Sequence, residues 1–284
     1  MKLNKLLCSA VPTLSFEVFP PKNTDAFETV RIATEQIAAL KPDFMSVTYG
    51  AGGSNSKATI EVARNLSGLG VPMVAHLTCV GASRESLSDQ LQRMKAAGVD
   101  NIMALRGDLP EGTTLGEFLH ASDLISFIRE TGDFCIGGAC YPEVHPESEN
   151  QEQDLKYLKY KVDTGCDYLV TQMFFDNPIF YDFVDKARQT GIDVPILPGI
   201  MPITRASQID RAAKLSGTKV PERLRRIVDR FGESPDAMLQ AGITYATDQI
   251  IDLLVNGVQH IHVYSMNKPD VAAAILHNVS ELLK

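Results

Sequence analysis

Short apolar runs rich in β-branched and aromatic residues alternate along the chain with stretches in which apolar residues recur at helical spacing. Eight runs have the length and composition of buried strands. They cover residues 13–19, 43–50, 72–80, 100–108, 134–142, 167–175, 194–200 and 260–267. Helical spacing is found over 24–40, 83–97, 121–130, 152–164, 178–190, 205–214, 221–231, 235–256 and 271–283.

Repeated strand-helix units of this kind predict a parallel sheet. Eight of them in 284 residues favour an α/β fold closed into a (β/α)₈ TIM barrel. The alternative is an open doubly wound sheet, but no G-x-G-x-x-G segment follows the first strand. No change in composition marks a linker, so we predict one catalytic barrel domain over residues 1–284, with residues 1–12 as an N-terminal extension.

Composition narrows the class of protein. A hydrophobic content of 44% and a charged content of 22% are typical of a packed globular protein. The net charge of −8 argues against a nucleic-acid partner, because phosphate binding needs a basic face. The N-terminal apolar run is too short for a signal peptide, and no segment reaches the roughly 18 apolar residues of a membrane span.

The cysteines give no sign of a disulfide framework or a zinc site. Their number is five, which is odd, and no two of them form a C-x-x-C pair. This pattern favours a reducing compartment, and we therefore expect a cytoplasmic protein that does not bind membranes.

Polar residues follow or end most of the predicted strands. In a barrel of this kind the active site lies at the carboxyl ends of the strands, so these side chains should meet at one rim. In chain order they are Glu17, Thr48 and Tyr49, His76 and Thr78, Arg106 and Asp108, Tyr141 and Glu143, Gln172, and Tyr264 and Asn267.

Glu17 lies inside the apolar run LSFEVFPP, where an unpaired charge would be costly. It alternates with Ser15 and Phe19, on the opposite face from the apolar residues that should pack on helices. Glu17 should therefore point into the barrel near the rim. Two interpretations remain open: a catalytic acid or base, or a structural carboxylate paired with Arg106 or a lysine.

Other candidates are weaker. Arg106 and Asp108 share a strand face and could form a structural ion pair, or Asp108 could lie beside a ring that gains or loses electrons. His145 lies in the proline-rich segment YPEVHPE, which should hold it rigidly. His260 and His262 share a face but have no third metal ligand nearby, so we predict no metal site.

Two further patterns do not indicate a catalytic or binding site. No G-x-S-x-G segment is present, which argues against a serine nucleophile. Four arginines of the predicted helix over 221–231 most simply form one solvated helix face; they are Arg223, Arg225, Arg226 and Arg230.

Taken in order, a set of segments resembles the methylenetetrahydrofolate reductases over nearly the whole chain, in the short bacterial form that consists of the catalytic barrel. The segments are SFEVFPPK, SVTYGAGG, HLTC, ALRGDLP, ASDL, YPEVHPE, KVDTGCDYLVTQMFFD, PGIMPI and HVYSMN. The resemblance implies a flavoprotein with non-covalent FAD at the carboxyl end of the barrel. NADH or NADPH would reduce the flavin, and the flavin would then reduce 5,10-methylenetetrahydrofolate to 5-methyltetrahydrofolate for methionine synthesis. It also implies a homo-oligomer, a dimer or a tetramer.

The same resemblance assigns residues. Glu17 would be the general acid that opens the folate ring, which requires a raised pKa that partial burial would supply. Asp108 would be the second catalytic residue, beside the flavin and the pterin. The implied flavin contacts are Thr48, Tyr49, Ala51, His76, Arg106, Gly107, Asp108, His120, Ala121, Ala139, Tyr141, His145, Asp154 and Lys161. The implied substrate contacts are Thr48, Asp108, Gln172, Gln208 and Lys268.

The chain departs from the family pattern at several positions. Lys268 stands where an arginine is expected, which weakens bidentate binding of a carboxylate. His120 replaces an aromatic hydroxyl, and Ala212 replaces an aromatic residue that would stack on substrate. Tyr157 and Tyr160 occupy helix positions where polar flavin contacts are expected, so neither is assigned to the site.

Three alternatives to a nicotinamide-dependent folate reductase remain open. The barrel could be the reducing subunit of a larger complex that takes electrons from a ferredoxin-type partner. It could be an aldolase-like barrel in which Glu17 and Asp108 exchange protons, although no strand ends in the lysine expected there. It could also bind a flavin without catalysis, and the presence of Glu17 counts against that.

Overall fold

A computed structural model of the chain describes residues 1–21, 24–49, 56–108 and 116–284. The predicted barrel is confirmed by one parallel sheet in the order β7-β6-β5-β4-β3-β2-β1-β9-β8. Its strands are β1 (Thr13–Val18), β2 (Phe44–Val47), β3 (Met73–Thr78), β4 (Asn101–Leu105), β5 (Cys135–Cys140), β6 (Tyr168–Thr171), β7 (Ile196–Leu197), β8 (Gly199–Ile200) and β9 (His260–Tyr264).

The barrel closes through the seventh predicted strand, which is divided at Pro198 into β7 and β8. On one side β7 pairs with β6, and on the other side β8 pairs with β9. Because β7 and β8 are consecutive in the chain, this division joins the two edges of the sheet. Proline has no N–H to donate to a neighbouring strand, which suits it to the point where pairing changes sides.

The helices surround the sheet. They are α1 (Leu3–Leu7), α2 (Phe27–Ala38), α3 (Ser56–Gly68), α4 (Arg84–Ala96), α5 (Ala121–Thr131), α6 (Gln151–Asp163), α7 (Asn177–Gln189), α8 (Ser207–Ser216), α9 (Glu222–Phe231), α10 (Pro235–Val255) and α11 (Pro269–Val279), with a 3₁₀ turn at Thr24–Ala26. Within the described residues, every helix is too short or too polar to cross a lipid bilayer.

Two of these helices were not predicted from the sequence. α1 has five residues, fewer than periodicity can reveal. α3 does bury Ile60, Ala63 and Leu66 at three-residue spacing, but it follows a glycine-rich segment that hid its start.

The strands separate two cores. Between strands and helices, β1 contributes Leu14, Phe16 and Val18, the apolar face that the sequence predicted. Inside the barrel, Leu3 and Leu7 of α1 join a second cluster of buried residues with Phe44, Val74, Met103, Cys135, Tyr168, Val170 and Leu197.

α1 lies at the amino ends of the strands. The Leu3 N–H donates to Asn101 Oδ1 at the start of β4 (2.7 Å), and the Leu7 carbonyl lies 3.0 Å from His260 Nε2 at the start of β9. Leucine side chains therefore fill the lower part of the barrel, and the open volume is left at the carboxyl end, where the predicted site residues lie.

Candidate active site

A cavity of about 310 Å³ opens at the carboxyl ends of the strands. It brings together nine of the predicted site residues from six strands and the segments that follow them. They are Glu17, Thr48, Tyr49, His76, Gly107, Asp108, Ala139, Tyr141 and Gln172. The volume falls within the range of about 300–1,000 Å³ that small-molecule sites usually have.

Glu17 lies among polar side chains of three neighbouring strands and is only 7% exposed. Ser46 of β2 donates a hydrogen bond from Oγ to Glu17 Oε2 (3.4 Å). The same oxygen lies 3.4 Å from His76 Nε2 on β3 and 3.6 Å from His262 Nε2 on β9. The lumen-facing orientation predicted from alternation is therefore correct, and the carboxylate meets two imidazoles rather than Arg106 or a lysine.

The electrostatics of Glu17 contradict the sequence-based expectation of a raised pKa. Burial favours the neutral acid and raises the pKa, as expected. The hydrogen bond with His262, the positive charge that His76 and His262 can carry, and the hydrogen bond from Ser46 outweigh it, so the pKa of Glu17 lies below its ordinary value. In the free protein Glu17 is a carboxylate held by imidazoles.

Both ring nitrogens of His262 face polar groups. Nδ1 lies 2.7 Å from Ser15 Oγ, which also contacts the Ile261 carbonyl (3.0 Å). Nε2 lies 3.3 Å from Ser46 Oγ and 3.6 Å from Glu17 Oε2. The ring is therefore held between β1 and β2 by contacts at both nitrogens.

The neighbouring His76 is a buried imidazole whose Nε2 contacts Glu17 Oε2 (3.4 Å) but makes no hydrogen bond of suitable geometry among the described residues. Burial lowers its pKa, and His262 adds to this lowering while Glu17 opposes it. An unpartnered polar atom in the wall of a cavity is a position at which a bound ligand would make a hydrogen bond.

Arg106 forms a two-point ion pair with Glu147, at 2.6 Å for each of two N–O contacts. This pairing excludes the proposed structural pairs with Glu17 and Asp108. Asp108 is exposed at the mouth of the cavity, next to Gly107. Gly107 has a φ of +92°, and a Cβ there would lie 2.8 Å from Val80 Cγ1, so the position requires glycine.

A second group of predicted residues adjoins the cavity at the end of β5. The Tyr141 and His145 rings lie edge to face at 4.6 Å. The His145 N–H donates to Asp154 Oδ2 on α6 (3.1 Å). Lys161 Nζ, also on α6, donates to the Ala139 carbonyl (2.8 Å), and burial lowers the pKa of this lysine.

The YPEVHPE segment contains a residue with an unusual backbone conformation. Val144 has a φ of +79°, a conformation that β-branched residues rarely adopt. On its amino-terminal side, Tyr141 lines the cavity and the Glu143 carboxylate accepts a hydrogen bond from the Lys219 N–H (3.0 Å).

The remaining predicted residues do not line the cavity. His120 and Ala121 lie at the start of α5, where the Asp123 carboxylate accepts from the His120 N–H (2.9 Å). Gln208 and Lys268 meet at Thr204, which receives a hydrogen bond from Lys268 Nζ at Oγ1 (2.7 Å). Ala51 lies outside the described residues.

Seven cavity-lining residues were not assigned to the site from the sequence: Thr78, Val80, Met103, Leu105, Val170, Thr171 and Tyr264. Thr78 and Tyr264 had been recognised as polar strand ends, and Met103 and Leu105 alternate with Gly107, so period-two spacing could have found them. The Tyr264 hydroxyl donates to the Thr171 carbonyl (2.6 Å), which fixes its ring across the cavity floor.

The residues fit a flavin. The cavity is lined by both polar and apolar side chains, and His76 Nε2 in its wall makes no hydrogen bond of suitable geometry among the described residues. The cationic Lys161 and Arg106 adjoin the cavity where phosphates would need them.

Comparison with known proteins identifies the family. Residues 2–280 match the family model described as methylenetetrahydrofolate reductase. The chain belongs to the methylenetetrahydrofolate reductase family. This establishes the oxidoreductase family expected from the segments quoted above.

Several relatives of the methylenetetrahydrofolate reductase family extend this match. A 5,10-methylenetetrahydrofolate reductase of Pectobacterium carotovorum subsp. carotovorum is 37% identical over 94% of this chain and 89% of that protein. The protein of that name from Escherichia coli (strain K12) is 34% identical over 94% of this chain and 90% of its own length. The Arabidopsis thaliana "Methylenetetrahydrofolate reductase (NADH) 1" is 37% identical, and the chain spans 48% of its length. None of these names refers to a ferredoxin-type partner.

A solved structure shows the same fold. An uncharacterised protein from Clostridium thermocellum, described as binding two copies of 5-methyl-5,6,7,8-tetrahydrofolic acid, superimposes with a TM-score of 0.71 over 99% of both chains. Its sequence identity is 16%, so this similarity shows the barrel alone.

Proposed function

We propose that this reductase converts 5,10-methylenetetrahydrofolate to 5-methyltetrahydrofolate, using FAD and a reduced nicotinamide nucleotide, in two successive half-reactions at one cavity. The observation that carries the proposal is the convergence of nine predicted residues on that cavity, with Glu17 buried beside two imidazoles. Membership of the family and the name "(NADH)" of the plant relative support a nicotinamide donor.

FAD, when bound, would supply a carrier that takes a hydride from the nicotinamide and passes it to the folate. His76, Gly107 and Ala139 would bind its ring, because all three line the cavity and His76 Nε2 makes no hydrogen bond of suitable geometry there. Lys161 and Arg106 would bind its phosphates. Glu147 orients the guanidinium of Arg106 and leaves part of its donor set for this purpose.

Glu17 would supply the proton that opens the five-membered folate ring. The bond between N10 and the bridging carbon breaks, its electron pair goes to N10, and N10 takes the proton from Glu17 Oε2. The carbon is left as an iminium with N5, the acceptor of the hydride. Glu17 is left as the carboxylate that it is in the free protein.

The lowered pKa of Glu17 requires that its proton come from a neighbour. The contacts that lead to Oε2 are His76 Nε2 at 3.4 Å and His262 Nε2 at 3.6 Å. When substrate excludes water, a buried carboxylate and imidazolium become costlier to maintain, and transfer of the proton to Glu17 neutralises both groups. Asp108, at the mouth, would stabilise the positive charge that forms on the folate.

The test is the behaviour of the purified protein. It should be yellow and release FAD on denaturation. NADH or NADPH should bleach it under nitrogen, and 5,10-methylenetetrahydrofolate should restore the colour. A colourless protein that FAD does not reconstitute would overturn the proposal, and so would a bleached protein that the folate does not reoxidise.

A further inference from the structure

Glu147 was not assigned to the site from the sequence, yet it is the partner of Arg106. In this two-point ion pair, Nη1 donates to Oε2 and Nη2 donates to Oε1, at 2.6 Å each. The Glu147 side chain is 56% exposed and the Arg106 side chain 21% exposed. Arg106 directly precedes Gly107, which lines the cavity. The carboxylate is therefore the outer half of an ion pair at the rim of the candidate active site.

The position of Glu147 is fixed by its own segment of the chain. Its N–H donates to His145 Nδ1 (3.1 Å), and the N–H of the next residue, Ser148, donates to the His145 carbonyl (2.9 Å). Ser148 Oγ also donates to Asp154 Oδ1 on α6 (3.1 Å). A turn anchored to α6 therefore carries Glu147 to Arg106 at the end of β4.

Charges of both signs surround His145 and cancel one another. Burial is the main cause that lowers the pKa of His145. The carboxylates of Glu147 and Asp154 oppose this lowering, and the positive charges of Arg106 and Lys161 add to it, so all four groups lie close enough to act on the ring. The two cations that would bind the phosphates of FAD are thus offset by two carboxylates.

The two carboxylates differ in what they hold. Asp154 accepts hydrogen bonds from the His145 N–H and the Ser148 hydroxyl, and so anchors the turn to α6. Among the described residues, the Glu147 carboxylate accepts from Arg106 alone. These hydrogen bonds lower the pKa of Glu147, which is therefore an anion at neutral pH. Its negative charge acts on the guanidinium and supports no other part of the fold.

We propose that Glu147 is a positioning residue that weakens the binding of FAD: it orients the guanidinium of Arg106 and offsets its charge, so that the flavin is held less tightly and released faster. This inference rests on the function proposed above. Arg106 Nε lies 3.4 Å from the Gly107 carbonyl, and the remaining Nη hydrogens are available to a phosphate. That phosphate would share the guanidinium with a carboxylate, and repulsion between the two anions lowers the affinity.

The experiment titrates the flavin-free protein with FAD and follows the quenching of flavin fluorescence. Glu147→Gln keeps an oxygen that can accept from Arg106 but removes the charge. We expect its Kd for FAD to be lower by about 2- to 5-fold, the factor that corresponds to one exposed ion pair. Release of FAD from the diluted holoenzyme should slow to a similar extent. Raising NaCl should weaken binding more steeply in the variant, because salt screens the cations that it leaves uncompensated.

The direction of the change separates charge from structure, since a variant that merely loosened the turn would bind FAD less tightly. The matched control is Glu152→Gln, which removes the same charge from the exposed start of α6, where Glu152 pairs with Lys156 (2.7 Å). The control should keep the Kd of the unsubstituted protein.

An unchanged or higher Kd in Glu147→Gln would overturn the inference. An equally lowered Kd in the Glu152→Gln control would also overturn it, because a general field rather than the partner of Arg106 would then set the affinity. Failure of the unsubstituted protein to bind FAD would overturn the proposed function itself. Binding of FAD that Glu147→Gln does not tighten would overturn this inference alone.

Discussion

Glu17 has the central role among the residues proposed to act in catalysis by this reductase. Its position in a buried strand would be unfavourable for an isolated carboxylate, and the Ser46 hydroxyl and the imidazoles of His76 and His262 stabilise its charge. The same neighbours make it a group whose proton can be exchanged locally. Stability and catalysis should therefore respond differently to changes at these residues.

Glu17→Gln should separate the two half-reactions. The amide keeps the size of the side chain but cannot donate a carboxylic proton, so reoxidation of the reduced flavin by 5,10-methylenetetrahydrofolate should slow by about 10²- to 10⁴-fold. Reduction of the flavin by NADH should change little. Anaerobic stopped-flow absorbance measures both steps, and Glu61→Gln on exposed α3 is the control. If both half-reactions kept the rates of the unsubstituted enzyme, Glu17 would not be the proton donor.

His76 should make the protein less stable at mildly acidic pH. Its pKa in the folded protein is lowered from the ordinary value of 6.5 by burial, so the unfolded chain binds a proton at pH values where the folded chain does not. The free energy of unfolding should therefore fall as the pH falls below 6.5. Glu17, whose pKa is also lowered, adds to the same trend only below its ordinary value of 4.5.

His76→Gln tests this assignment, because glutamine does not titrate. Urea unfolding at a series of pH values between 5 and 7.5 should show a shallower decline than for the unsubstituted protein. An identical decline in both proteins would mean that other groups cause it.

At the scale of elements, the divided strand β7–β8 closes the barrel and shapes the cavity floor. Gly199 opens β8 where the Tyr264 ring crosses it, and the Tyr264 hydroxyl reaches the Thr171 carbonyl. A side chain at Gly199 would occupy the space of that hydroxyl, and its Cβ would lie 2.5 Å from Thr171 O.

Gly199→Ala should therefore destabilise the protein by about 1–3 kcal/mol, the usual cost of overpacking. It should also weaken flavin binding, because Tyr264 would be displaced into the cavity. The control is Gly68→Ala at the end of α3, where a Cβ meets no atom within 4 Å. Urea unfolding and FAD titration measure the two effects. A Gly199→Ala protein as stable as the control would contradict this account.

At the scale of the whole molecule, α1 completes the barrel from its amino end. Its leucines occupy the lumen beneath the cavity, and Met1, Lys2 and Leu3 are tied to the segments around β4 and β5 through Asp100, Asp133 and Asn101. The same barrel is thus filled by side chains at one end and open to ligands at the other.

Leu3→Ala should cost about 2–5 kcal/mol, since the side chain is 0% exposed and its loss leaves a cavity inside the barrel. Leu69→Ala is the matched control, because Leu69 is 54% exposed and such changes usually alter stability by no more than about 0.5 kcal/mol. Urea unfolding compares the two variants. Equal stabilities would show that α1 is only appended to the barrel.

Local pattern was sufficient for the architecture. The period of two along β1 placed Glu17 in the lumen, and the repeated strand-helix units predicted the closed sheet. These features depend on residues that are neighbours in the chain, and side-chain direction in a strand follows from the backbone alone.

The partners of the site residues come from contacts between distant parts of the chain. Arg106 pairs with Glu147, 41 residues away, and His262 reaches Glu17 from the last strand, 245 residues away. No local pattern encodes such contacts. Alternation along one strand was therefore enough to predict a carboxylate at the rim of a barrel, whereas the direction of its pKa shift depends on two imidazoles that folding brings beside it.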